Sequence, residues 1–221
     1  MKKRLRQNGL GLTLLLLFLV TWLFGQAVVG HHESNNERRQ HGLQPEGMGA
    51  YLTSAHFLEA TSENWESEFL QMSVYVLLTV FLYQKGSSES KPLDEPQPVD
   101  RDPRLSRHKA SAPWPVRRGG WVLVLYEYSL TLAFLVLFLF CFIVHIVSGC
   151  ANYNEDLAAH GEAPVTCAQY FGSSRFWFES LQNWQSEFLA IFSMVVLSIF
   201  LRQRGSPESK PVDAPHGETG E

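Results

Sequence analysis

Cysteine is scarce in this chain, with three among 221 residues. That excludes a small secreted scaffold stapled by several bridges in place of a core. Cys141 lies inside an apolar run, whereas Cys150 and Cys167 share one polar loop, where they can pair in an oxidising compartment or remain incidental thiols. Charge is also sparse: 18% of residues are Asp, Glu, Lys or Arg, and the net charge is −4. No nucleic-acid motif is present, and no nucleic-acid partner is expected. The chain lacks a glycine-rich phosphate loop, a nucleophile elbow and paired catalytic acids in a soluble domain, so it offers no catalytic residue and no cofactor site. His31, His32, His41, His56 and His160, with Glu33 and Glu37, lack fixed ligand spacing, and only His41 recurs, as His160. They read as solvated loop residues, and no metal site is expected.

Long uncharged runs are what the chain does have. Leu10 to Val29 carries no charge and follows Lys2, Lys3, Arg4 and Arg6. About 20 residues at about 1.5 Å each match a hydrocarbon core of about 30 Å. Leu130 to Val147 is equally apolar, and Trp65 to Tyr83 and Trp184 to Leu201 reach across if the Trp end sits in the interface. The mean hydropathy of −0.08 reflects dilution by polar loops.

These segments come in two matching pairs. Tyr51 to Pro96 aligns without a gap on Tyr170 to Pro215 at an offset of 119 residues, with 22 of 46 positions identical. Asn64-Trp65-x-Ser67-Glu68-Phe69-Leu70 recurs as Asn183-Trp184-x-Ser186-Glu187-Phe188-Leu189, and Gly86-Ser87-x-Glu89-Ser90-Lys91-Pro92 recurs as Gly205-Ser206-x-Glu208-Ser209-Lys210-Pro211. The expected architecture is therefore an all-α membrane protein of four transmembrane helices, built from two tandem two-helix repeats related by a pseudo-two-fold along the membrane normal. Repeat one is 1–96, with spans at about 10–29 and 65–83 and an outer loop at 30–64; residues 97–120 form a flexible cytoplasmic linker rich in proline and charge. Repeat two is 121–221, with spans at about 126–148 and 184–201, an outer loop at 149–183 and a cytoplasmic tail.

Lysine and arginine set the orientation. They crowd into the N-terminal tail, the middle stretch (Lys85, Lys91, Arg101, Arg104, Arg107, Lys109, Arg117, Arg118) and the C-terminal end (Arg202, Arg204, Lys210); only Arg38, Arg39 and Arg175 lie on the other side. By the positive-inside rule both termini and the middle loop are cytoplasmic. A cleaved signal peptide would also fit the basic start and apolar run. The repeat speaks against cleavage, because the equivalent segment at 130–147 is internal.

The outer ends of the second and fourth spans are expected to be continuous helix, capped by Ser54 and Ser173. Spacing by four puts His56, Asn64 and Glu68 on one face, and Arg175, Glu179, Asn183 and Glu187 on the matching face. Glu68 and Glu187, one turn past a membrane-level Trp, form a candidate polar site at the outer rim; an intramembrane carboxylate is either functional or held by packing contacts, here with Ser67, Asn64, Ser186 and Asn183. Because they carry the polar residues, the second and fourth segments are expected to form the centre of the bundle.

Asn64-Trp65-Glu66-Ser67-Glu68-Phe69-Leu70-Gln71, Gly86-Ser87-Ser88-Glu89-Ser90-Lys91-Pro92, the stretch Pro113 to Trp121, and Phe176-Trp177-Phe178-Glu179 carry a resemblance over most of the chain. It resembles a family of bacterial inner-membrane proteins defined by a domain of unknown function. The resemblance implies an integral membrane protein of that type and brings no activity, substrate or catalytic residue. Three functions stay open: a non-enzymatic scaffold or envelope-associated protein binding a partner or lipid through its outer helices; an oligomeric proton or cation transporter using Glu68 and Glu187; and a membrane-bound enzyme or metal sensor. The expected partners are the lipid bilayer and a second copy or another membrane protein.

Overall fold

The computed structural model describes residues 6–220, and the described residues are helical with no strand. Lys2, Lys3 and Arg4 of the inner-side charge count lie outside the described residues. Four long helices form where the sequence has no proline: α1 (Gly9–Gln40), α3 (Ala55–Phe81), α6 (Ser129–Ala159) and α8 (Ser174–Phe200). The short helices α2 (Met48–Tyr51) and α7 (Cys167–Phe171) lie in the loops ahead of α3 and α8. Between α3 and α6 the chain makes two 3₁₀ turns, then α4 (Trp114–Arg118) and α5 (Gly120–Glu127).

Helices α1, α6 and α8 are long and apolar enough to cross a membrane. Nothing in Gly9–Val20 is buried, so its leucines present their surface outward along the whole run. Such a face exceeds the apolar patch a water-soluble monomer tolerates. Helix α3 is as long as α8, but Glu59, Glu63, Glu66 and Glu68 occupy its first turns and its apolar character is concentrated in 69–81. Both helix starts are capped as expected: Phe57 N–H donates to Ser54 Oγ (3.2 Å) and Phe176 N–H to Ser173 Oγ (3.3 Å). Within α1, Thr21–Val29 winds as a wider π-helix. Thr21 Oγ donates to the carbonyls of Leu17 (2.9 Å) and Phe18 (3.0 Å), a side-chain competition that loosens the backbone ladder there.

The chain divides into two compact units. The first comprises Met1–Trp65 and Cys141–Glu179. Two asparagines in equivalent positions hold its loops in the same way. Asn35 Nδ2 donates to the Glu46 carbonyl (3.0 Å) and its Oδ1 accepts from Glu46 N–H (2.7 Å); Asn154 does the same with Val165 (2.9 and 2.7 Å). Each bracket satisfies both backbone groups of a loop residue that no helix or strand could serve. Two glycines match as well. A Cβ at Gly30 would stand 2.4 Å from Tyr51 Oη and one at Gly149 would stand 2.4 Å from Tyr170 Oη, so each tyrosine lies against a helix backbone that must lack a side chain. Cys150 and Cys167 are joined in a disulfide that ties α6 to α7, and Cys141 lies buried outside that bridge.

The second unit comprises Glu66–Phe140 and Ser180–Glu221. Its repeated Gly-Ser-x-Glu-Ser-Lys-Pro strings are folded loops. Gln84 N–H donates to Ser90 Oγ and Gln203 N–H to Ser209 Oγ, each at 2.9 Å, and Glu89 and Glu208 N–H donate to Ser87 and Ser206. Lys210 is buried, its ammonium donating to the carbonyls of Pro215, His216 and Glu218. Gln71 Nε2 donates to the Glu187 carbonyl (2.7 Å), so α3 and α8 meet there. A symmetric centre built from α3 and α8 is not what forms further along. Ser73 turns to the Thr131 carbonyl of α6 (3.4 Å), and Phe192, its repeat equivalent, is exposed. The serine hydroxyl has a hydrogen bond to make across helices, while the phenylalanine has no such need.

Candidate functional site

The first unit contains a cleft of about 800 Å³ whose lining includes seven carboxylate side chains and two arginines. Its inner wall is a partly buried cluster assembled from three long helices and α7. Helix α3 brings Glu59, α6 brings His145 and Asn152, α7 brings Tyr170, and α8 brings Arg175 and Glu179. His145 and Tyr170 are 0% exposed and Glu59 is 7% exposed.

The geometry is closely interlocked. Tyr170 Oη lies 2.8 Å from Glu179 Oε2 and 3.3 Å from Glu59 Oε1. Arg175 Nε donates to Glu179 Oε1 (2.9 Å) and its Nη1 to Asp156 Oδ2 (3.2 Å), while its guanidinium lies over the Tyr153 ring at 4.8 Å. Asn152 Nδ2 donates to Glu59 Oε2. His145 Nε2 stands 3.9 Å from Glu179 Oε2, with its ring on Phe176 at 4.9 Å between centroids. Burial raises the Glu59 carboxyl above its ordinary range, and the charge on Glu179 adds to that; the Asn152 hydrogen bond opposes it. Burial likewise raises the Tyr170 phenol, reinforced by its bond to Glu179. At neutral pH the phenol is therefore a donor, and it carries one hydrogen for two carboxylates.

Of the residues singled out in the sequence, Arg175 and Glu179 meet as expected from their spacing, and His56 lines the same cleft. Asn64 Nδ2 donates to the Ala60 carbonyl at 2.7 Å, a bond within its own helix. Glu68 is exposed, and Asn183 and Glu187 are half-buried; Glu68 and Glu187 belong to the second unit and do not join the cluster. The buried glutamate of the second unit is Glu66, 0% exposed, which accepts from Ser180 Oγ at 2.9 Å. His41 and His160, the one recurring pair, lie with ring centroids 5.7 Å apart and are exposed.

Glu59 carries no signal in the matched segments, and His145, expected as an interfacial side chain near the outer end of the third span, is instead 0% exposed. Glu59 aligns with Phe178 at the offset of 119, so it sits where the matched segments differ. A signal was present nonetheless. Glu59, Ser62, Glu66 and Ser73 recur at helical spacing and all are buried, which makes a polar stripe along α3 one face away from His56, Asn64 and Glu68.

Helices long and apolar enough for a bilayer, combined with a polar cluster that opens to a cleft, define a helical protein of a type compatible with membrane insertion. The chain belongs to the family described as a domain of unknown function (DUF6766), whose model matches residues 1–221. No curated protein and no solved structure matches the chain.

Proposed function

We propose that this chain is a four-span bacterial inner-membrane protein with both termini cytoplasmic, whose outer helices bind the positively charged part of a partner without catalysing a reaction. Helix α3 serves as the remaining crossing through 65–83, entering the bilayer beside Trp65. Phe18, Trp22 and Trp65 cluster with centroids 5.8 to 6.0 Å apart, in keeping with an aromatic belt at one interface. The Cys150–Cys167 bridge belongs to a loop that the charge count places outside, where disulfides persist. The tandem repeat and its pseudo-two-fold are supported by the matched Asn35 and Asn154 brackets.

The observation that carries the binding reading is the lining of the cleft. Glu37, Glu46, Glu63, Glu155 and Asp156 surround it in addition to Glu59 and Glu179. Its two arginines are committed, Arg38 to the Gln44 carbonyl and Arg175 to two carboxylates. A lipid phosphate would meet charge of its own sign there, whereas a lysine- or arginine-bearing segment meets the opposite sign. The test is fluorescence anisotropy of a labelled lysine-rich peptide against the protein in nanodiscs. Binding that weakens with salt and with Glu63→Gln plus Glu155→Gln is expected, and equal binding of an acidic peptide would reject the reading.

Transport remains the second reading, favoured by the exposure of Glu68 beside Trp65, where a second copy could meet it. Proton flux in proteoliposomes that is lost in the Glu68→Gln, Glu187→Gln double variant would establish it.

A further inference from the structure

We propose that Glu59, His145 and Glu179 form a binding site for one first-row transition-metal dication at the inner wall of the cleft. This inference rests on the binding reading only in requiring that the cleft be open to solvent.

One ligand-capable atom from each of the three residues lies within 4.8 Å of the other two. Ligands held at about 2.0–2.2 Å from a common ion stand roughly 3.4 Å apart in a tetrahedral site, so closure needs shifts of about an ångström. The residues come from three separate helices, so their convergence is a product of the fold and not of local sequence. Glu59 and Glu179 both line the cleft, which supplies the entry path and room for a water as a further ligand.

A second observation points the same way. Tyr170 stands within hydrogen-bonding distance of both carboxylates yet has one hydrogen to give. Two carboxylates, Glu59 buried and Glu179 half-buried, that converge on one phenol repel each other unless a proton or a cation lies between them. Arg175 does not settle the balance, because it is divided between Glu179 and Asp156. The outer partners have the form that holds metal ligands in place: Asn152 fixes Glu59, Arg175 fixes Glu179, and Tyr170 spans both. Gly149 keeps the wall open, since a Cβ there would stand 2.4 Å from Tyr170 Oη and 2.9 Å from Glu59 Oε1.

An imidazole with two carboxylates suits Zn²⁺ or Mn²⁺ and does not suit Mg²⁺, which favours oxygen ligands and retains its waters. The exposed pair His41 and His160 is the competing surface site, and the buried Cys141 thiol is a competing soft ligand.

The experiment uses the full chain, untagged and oxidised, in nanodiscs after chelator treatment. Calorimetric titration with Zn²⁺, and electron paramagnetic resonance titration with Mn²⁺, are expected to give one site per chain, with no heat from Mg²⁺. Glu59→Gln and His145→Gln should each weaken Zn²⁺ by more than tenfold, and Tyr170→Phe by about tenfold. The His41→Asn, His160→Asn double variant and Cys141→Ser should leave it unchanged. Wild-type protein that binds neither ion overturns the proposal whatever the variants do, and leaves His145 as an ion-pair partner of Glu179. Loss of Zn²⁺ binding in the His41, His160 variant also overturns it. Metal binding with no peptide binding would retain this site and reject the cationic-partner reading; peptide binding with no metal would do the reverse.

Discussion

Tyr170 Oη donates to Glu179 Oε2 across 2.8 Å, and through that bond the short helix α7 is tied to the start of α8. The tyrosine is fully buried, so its hydroxyl has no water to fall back on. Replacing it with phenylalanine removes the donor and leaves the half-buried Glu179 carboxylate with one partner fewer, at a cost of about 1–3 kcal/mol. Thermal unfolding of Tyr170→Phe in detergent should show a lower midpoint, and an unchanged midpoint would show that the bond contributes nothing net.

Gly149→Ala should be more damaging than a surface Gly→Ala change. The new methyl would stand 2.4 Å from Tyr170 Oη and 2.9 Å from Glu59 Oε1, and both atoms are fixed by hydrogen bonds. Gly47→Ala, with nothing within 4 Å of the added carbon, is the control. Comparable unfolding midpoints for the two variants would contradict the close approach.

Thiol counting tests the loop covalently. Denatured but unreduced protein should take up alkylating reagent at one cysteine, Cys141, and reduced protein at three. Three reactive thiols before reduction would mean that Cys150 and Cys167 are not joined in the cell, and would weaken the outer placement of their loop.

Impermeant maleimides test the orientation. Cysteines placed at the exposed positions Gln40 and Ala158 should react in intact cells, while those at Ser111 and Glu218 should require permeabilisation. Ser34 is a poor reporter on the outer side, because it is buried and hydrogen-bonded to Glu46. Labelling of Ser111→Cys in intact cells would reverse the topology.

The linker should respond to acid through Lys91 and Asp100. The Lys91 ammonium donates to Asp100, and that bond, aided by Gln97 N–H, holds the Asp100 carboxyl below its ordinary range. A carboxylate with a lowered folded value adds stability above its unfolded value and loses it as pH falls through the folded value. Protease cutting within 97–110 should therefore be slow at neutral pH and rise below the ordinary aspartate range, and Asp100→Asn should remove that dependence. A variant with the wild-type pH profile would assign the ordering of the linker to other contacts.

Sequence alone determined the helical class, the long apolar runs, the serine caps of α3 and α8 and the Arg175–Glu179 contact, because each follows from composition or from spacing along one helix. It also displayed the identity between 51–96 and 170–215 at a fixed offset, which needs no coordinates. What it could not decide was which residues from different helices meet. Glu59 and His145 are 86 positions apart in the chain and have no counterparts in the other repeat, so neither local period nor repeat register singles them out. The rotation of α3 about its axis decided the rest: it turns Glu59, Ser62, Glu66 and Ser73 inward and leaves Glu68 exposed. A polar residue beside a hydrophobic one satisfies the sequence pattern on either face, and only packing against α6, α7 and α8 selects the one that is buried.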